Sequence, residues 1–137
     1  MKHLLIILFC TPILLKSQIS TDGEILSKME YMKLSSKINC DSTTGSNLEH
    51  KICLNLNFQK LDSTLNSSYL KVLNVIESDS LKTLFVQGQK QWLKNRHTQS
   101  VIRSEIYRGH LLGIKYLSFM VLTTQNRIEE LKSLTLD

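Results

Sequence analysis

The fold of this 137-residue chain is decided by residues 58–96, FQKLDSTLNSSYLKVLNVIESDSLKTLFVQGQKQWLKNR. Apolar residues recur in it every three to four positions, first over 58–76 and again from 81 onward, which is the period of an amphipathic helix. Asp79 and Ser80 interrupt the pattern, and either residue could cap the second helix. The stretch therefore predicts two long helices that fold back on each other near residue 79.

Six side chains are spaced so that they meet across this hairpin. A fold-back at residue 79 pairs positions whose numbers sum to 158, which sets a carboxylate opposite a guanidinium, with two amides and two rings beside them. The predicted pairs are Asp62 with Arg96, Asn66 with Trp92, and Tyr69 with Gln89. We interpret the cluster as a semi-buried network that fixes the register of the hairpin. Recognition of a partner is the alternative, since an Asp–Arg pair has no acid–base chemistry at neutral pH.

Further helical patterns lie on both sides of the hairpin. A third apolar stripe over residues 117–131 predicts a long C-terminal helix, and residues 24–34 predict a shorter helix. Ser46 and Glu49 have the spacing of a capping box, which predicts a short helix that ends near Cys53. With one proline and five glycines in the chain, we expect an all-α fold, a small helical bundle built on the long antiparallel hairpin.

The first 20 residues have the pattern of a secretory signal peptide. A basic start is followed by an uncharged run over residues 4–15, which is too short to span a bilayer. We therefore expect a leader over residues 1–20, a single helical domain over 21–137, and no transmembrane span once the leader is removed. The predicted location is outside the cytoplasm, periplasmic or secreted.

Removal of that leader leaves two cysteines, Cys40 and Cys53. An even number of cysteines in an exported chain predicts a disulfide. The alternative is a metal site that uses Cys53 and His50, but two further ligands at suitable spacing are missing. We expect one disulfide and no metal.

Charge is distributed unevenly along the chain. Residues 21–81 carry a net charge of −2, residues 82–115 carry +6, and residues 116–137 carry −1. The basic segment indicates either a solvated face or contact with an anionic envelope polymer, whereas nucleic acid is not an expected partner of an exported chain without a reader motif. Signatures of hydrolases, zinc proteases and phosphate-binding loops are missing from the sequence. We therefore predict a protein that is not an enzyme and has no cofactor.

Four motifs in order resemble the N-terminal domain family of LprI-like lysozyme inhibitors. Residues 62–69 are similar to its D-x-x-L-N-x-x-Y motif and residues 89–96 to its Q-x-x-W-x-x-x-R motif. Residues 46–53 match S-x-x-E-x-x-x-C, with Cys40 at the position of the bridge partner. The closing T-x-x-R-x-x-E-L motif resembles residues 124–131, which include Thr124 and Arg127.

The resemblance implies a small exported bacterial helical domain, possessing no chemistry of its own, that acts as a binding module by occlusion. A lysozyme is then the expected partner. The alternative is a structural envelope protein whose basic helix contacts an anionic surface. The chain also departs from the family pattern: His97 stands where the family usually has Asp, and Ser100 and Phe119 replace the cysteines of a second bridge. We therefore expect a looser connection between the hairpin and the C-terminal helix.

Overall fold

Helices dominate the part of the chain that the structure describes. A computed structural model describes residues 19–42 and 44–135. The elements in chain order are α1 (Asp22–Ser27), a 3₁₀ helix (Glu30–Lys37), α2 (Asn47–Val75), α3 (Asp79–Ser104) and α4 (Gly109–Ser133). No strand occurs within those residues, and the predicted all-α fold is confirmed. The predicted leader lies outside the described residues, except for positions 19 and 20.

Helix α2 is longer than predicted. It begins after its N-cap, Ser46, and continues through Cys53 without a break, so the expected short helix that ends near Cys53 is wrong. Ile52, Asn55 and Phe58 are all fully buried and lie three residues apart on one face of α2. Burial of this continuous face favours one uninterrupted helix.

The predicted helix over residues 24–34 is divided into α1 and the 3₁₀ helix. Met29 has an extended backbone, with φ −63° and ψ 143°, and separates the two elements. The buried side chain of Asn55 donates to the Leu26 carbonyl at 2.9 Å and to the Tyr31 hydroxyl at 2.7 Å. These two hydrogen bonds connect α2 to the end of α1 and to the start of the 3₁₀ helix.

Helix α4 packs along both α2 and α3, whereas α2 and α3 contact each other at fewer points. The stripe predicted on α4 forms its buried face. One core cluster joins α2, α3 and α4; its buried members are Leu65, Tyr69, Val72, Val86, Ile128 and Leu131. A second cluster joins Phe58 of α2 to Met120 and Val121 of α4. The two helices of the hairpin are therefore held together largely through α4, which packs against both of them.

The apolar stripe predicted for α3 is largely wrong. Leu81, Leu84 and Ile106 are 57%, 62% and 79% exposed. The buried face of α3 consists mostly of polar residues, and its members are Val86, Gln89, Arg96, Ser100 and Ser104. This helix therefore meets its neighbours through hydrogen bonds as much as through apolar contact.

Candidate functional site

Arg96 lies at the centre of the predicted cluster, and only 1% of its surface is exposed. Its Nη1 donates to Asp62 Oδ1 at 3.0 Å and to Thr124 Oγ1 at 2.9 Å. Its Nη2 donates to Ser20 Oγ at 2.7 Å and to Asp22 Oδ2 at 2.8 Å. The predicted contact between Asp62 and Arg96 is confirmed. One side chain on α3 thus joins the N-terminal segment, α2 and α4.

Two aromatic rings also contact this guanidinium. The Arg96 Cζ atom lies 5.1 Å from the ring centroids of both Phe58 and Trp92, a distance typical of cation–π contacts. Its remaining donor, Nε, is buried and has no hydrogen-bond partner in the described residues. Because Arg96 is enclosed in this way, the geometry favours the structural interpretation of the cluster over direct recognition of a partner.

The N-terminal segment is the main part of the network that the sequence did not reveal. Ser20 N–H donates to Asn66 Oδ1 at 2.6 Å, and Asn66 Nδ2 donates to the Ser20 carbonyl at 2.8 Å. Asn66 was expected to face Trp92, but these bonds turn its amide toward the N-terminal segment instead. Gly23 N–H donates to Asp62 Oδ2 at 2.9 Å. A Cβ atom on Gly23 would lie only 3.1 Å from that oxygen, so the close approach depends on glycine.

The closing motif on α4 contacts the same cluster. Gln89 is fully buried, and its Oε1 accepts from Arg127 Nε at 3.3 Å and Nη2 at 3.2 Å. Arg127 also pairs with Glu130 at 2.9 Å. Trp92 lies between two cations, since the Arg127 Cζ atom is 5.7 Å from its ring centroid and Arg96 is on the ring as well. The hairpin and closing motifs therefore form one network.

Tyr69 packs on α3 close to its predicted partner. The ring of Tyr69 is fully buried and stacks on Phe85, with the centroids 5.2 Å apart and an interplanar angle of 16°. Phe85 lies one helical turn before Gln89, the partner that the pairing rule assigned. The pairing rule is confirmed at Asp62 and Arg96, whereas the pairing of Tyr69 with Gln89 stays a prediction.

The disulfide and the helix cap lie at the start of α2. Cys40 and Cys53 are bonded, with their Cα atoms 5.5 Å apart, which confirms the predicted pair. Ser46 Oγ accepts from Glu49 N–H at 3.2 Å, so this half of the capping box is confirmed. The Glu49 carboxylate, however, accepts from Thr44 N–H at 2.8 Å and from the Thr44 hydroxyl at 2.5 Å. These bonds, with smaller contributions from Ser46, lower the pKa of Glu49.

An apolar cleft of about 220 Å³ lies where α1, the 3₁₀ helix and α4 meet. Its apolar lining residues are Leu26, Met29, Tyr31, Leu112, Tyr116 and Leu117. Lys51 also lines it, with Nζ 4.1 Å from the Tyr31 ring centroid. A Cβ atom at Gly113 would lie 2.7 Å from Lys51 Cε, so this glycine allows the lysine to lie against α4. Burial raises the pKa of both Tyr31 and Tyr116.

His97 occupies the position where the family pattern has a carboxylate. Its Nδ1 lies 3.0 Å from the Tyr116 hydroxyl, and the two rings meet edge to face. His97 is exposed and links α3 to α4 rather than extending the Arg96 network. Within the described part of the chain, no three His, Cys, Asp or Glu side chains are placed to hold a metal ion. No helix in that part is long and apolar enough to cross a membrane.

Comparison with known proteins gives one match. A family model described as "Lysozyme inhibitor LprI" matches residues 39–131. This range contains the disulfide, α2, α3 and nearly all of α4. Neither a curated protein nor a solved structure matches the chain.

Proposed function

The chain belongs to the lysozyme inhibitor LprI family, and from this premise we propose that it is an exported, non-enzymatic protein that binds a lysozyme and blocks it by occlusion. The family match over residues 39–131 carries the proposal. The Cys40–Cys53 disulfide fits a protein of an oxidising compartment outside the cytoplasm. Periplasmic and secreted locations are both compatible with that chemistry.

The internal network supports an inhibitor that binds as a rigid body. Four elements are joined through Arg96, and α4 is further joined to α3 through Arg127 and Gln89. A rigid surface loses little conformational entropy when it binds a partner, which favours affinity. The network therefore supports the binding surface without contacting the partner.

We place the contact at the apolar cleft between α1, the 3₁₀ helix and α4. Two of the apolar residues that line it are exposed: Met29 is 44% exposed and Leu112 39%. Apolar patches of this kind are typical of protein–protein contacts. Residues 21–81 carry a net charge of −2, whereas residues 82–115 carry +6. The apolar character of the cleft, rather than its charge, carries this choice, because Leu112 and Gly113 belong to the basic segment and Lys51 is the charged residue that lines it.

A cell-lysis assay tests both the function and the surface. Purified protein, titrated against a basic animal-type lysozyme, should protect cells stoichiometrically at micromolar concentration. Met29→Arg should raise the concentration required by about tenfold or more, the effect of a residue central to binding. Leu84→Arg is the matched control, since Leu84 is exposed on α3, remote from the cleft, and it should protect as the parent protein does.

The possible results separate the two parts of the proposal. A lack of protection at any stoichiometry contradicts inhibition of that lysozyme. Protection that Met29→Arg leaves unchanged contradicts the contact surface but not the function. Exposed Lys90, Lys94 and Leu84 on α3 favour a second candidate, an envelope protein that contacts an anionic surface. Salt-sensitive binding to anionic vesicles without any protection would support this alternative.

A further inference from the structure

A second cavity, of about 190 Å³, lies between α3 and α4. It is separate from the apolar cleft and from the Arg96 network, and no residue that lines it belongs to either. Ser100 and Arg103 contribute from α3, and Phe119 contributes from α4. The positions at which the family usually has its second cysteine pair, Ser100 and Phe119, thus line the same cavity.

The hydroxyl group of Ser100 is the first sign of a binding site. Ser100 is only 1% exposed, and its Oγ has no hydrogen-bond partner among the described residues. A buried hydroxyl without a partner costs free energy, so most such groups are satisfied in folded proteins. Here the hydroxyl belongs to a residue that lines a cavity large enough for a small molecule.

Arg103 gives the cavity its charge. Its Cζ atom lies 5.5 Å from the Phe119 ring centroid, and no ion pair joins it to any carboxylate of residues 19–42 or 44–135. The exposed amides of Gln99 and Asn126 line the cavity as well, and no carboxylate does. The lining therefore combines a planar cation and neutral hydrogen-bonding groups with an apolar wall.

We propose that this cavity binds a small carboxylate. The planar guanidinium of Arg103 matches the geometry of a carboxylate, with which arginine forms bidentate hydrogen bonds. Ser100 supplies a hydroxyl, and Phe119 and Leu122 supply apolar surface for a short substituent. Two sources offer this chemistry, a free short-chain acid and the carboxyl end of a peptide. The site is independent of lysozyme binding, since its residues lie outside the apolar cleft.

Chemical-shift titration of the isotopically labelled, disulfide-bonded protein tests the site without any lysozyme. The probes are propionate, N-acetylalanine and the uncharged N-acetylalaninamide. We expect saturable shifts of the Ser100, Arg103 and Phe119 amides with both acids and none with the amide. Arg103→Gln should weaken binding by about tenfold or more, the effect of losing a charge-assisted hydrogen bond. Ser100→Ala, which removes only a hydroxyl, should weaken it several-fold.

The control variant is Lys94→Gln, which removes an exposed cation from the same helix but outside this cavity. Its affinity should match that of the parent protein. Equal affinity for the two acids would support a free acid, whereas tighter N-acetylalanine would support a peptide end. The proposal is overturned if neither propionate nor N-acetylalanine produces saturable shifts at these amides. Equal binding of N-acetylalaninamide, or equal weakening by Lys94→Gln, would also overturn it.

Discussion

Replacing either member of the buried Asp62–Arg96 pair should destabilise the protein strongly. In the folded chain the side chain of Arg96 is 0% exposed and that of Asp62 is 4% exposed, with 3.0 Å between the paired atoms. Asp62→Leu leaves a buried guanidinium without its buried carboxylate partner and removes the acceptor of Gly23 N–H. Arg96→Met leaves a buried carboxylate without a cation and removes the hydrogen bond to Thr124.

The expected loss is about 3–5 kcal/mol for each single variant, the usual cost of removing one partner from a buried ion pair. Asp62→Leu should lie toward the lower end of the range, because Asp22 still contacts Arg96 at 2.8 Å. For a domain of this size the loss lowers the melting temperature by roughly 12–20 °C. Urea unfolding of the disulfide-bonded protein, followed by far-ultraviolet circular dichroism, measures the free energy of unfolding of each variant, and heating followed by the same signal measures its melting temperature.

The double variant Asp62→Leu/Arg96→Met separates a pairing effect from a loss of packing. It removes both buried charges, so its cost should fall short of the sum of the single costs by at least about 1 kcal/mol. Lys94→Met is the matched control, since Lys94 is exposed on the same helix, and its effect should stay within about 0.5 kcal/mol. Melting temperatures of the single variants that equal the parent value, or strictly additive costs, would refute the reasoning.

Three further changes test other parts of the structure. Gly23→Ala should destabilise the protein by about 1–3 kcal/mol in urea unfolding, because the added Cβ would crowd the buried Asp62 carboxylate. Gly88→Ala is the control: nothing lies within 4 Å of its added atom, so it should stabilise α3 by up to about 1 kcal/mol. Similar effects of the two changes would contradict this reasoning. Glu49→Gln should lower the free energy of unfolding near neutral pH and should make it fall less steeply as the pH is lowered. Hydrogen bonds from Thr44 lower the pKa of Glu49 in the folded chain. Their stabilisation is therefore present above the pKa of the unfolded chain and is lost as the pH falls through the pKa of the folded chain. A variant whose stability depends on acid pH as the parent's does would contradict this assignment. Ser100→Cys with Phe119→Cys should form a disulfide on oxidation, since both line one cavity, and thiols that stay free in a thiol assay would contradict that placement.

Features that the sequence predicted well share a simple physical cause. The stripe on α4 is apolar and buried along its whole length, so periodicity alone identifies it. Asp62 and Arg96 are complementary charges, and Cys40 and Cys53 are the two cysteines outside the predicted leader; in each case the residue types restrict the possible partners.

Features that the sequence did not predict are buried polar residues. Periodicity analysis counts apolar positions, so it placed Leu81 and Leu84 of α3 inside and took no account of Ser100 and Ser104, which are buried. Ser20 was placed at the end of the predicted leader, yet it hydrogen-bonds to Arg96, 76 positions away, and to Asn66. Long-range polar contacts of this kind leave no local pattern.

The same polar contacts explain how α4 is held without the second disulfide of the family. Ser100 and Phe119 leave α3 and α4 without a covalent link, yet two other connections join these helices: Arg96 donates to Thr124 at 2.9 Å, and Arg127 donates twice to Gln89. A disulfide acts mainly on the unfolded chain, whereas these bonds act only in the folded one. In the described part of the chain these folded-state contacts hold α4 to α3, so removal of Arg96 should release α4 more readily in this protein than in the Ser100→Cys/Phe119→Cys variant with its disulfide formed.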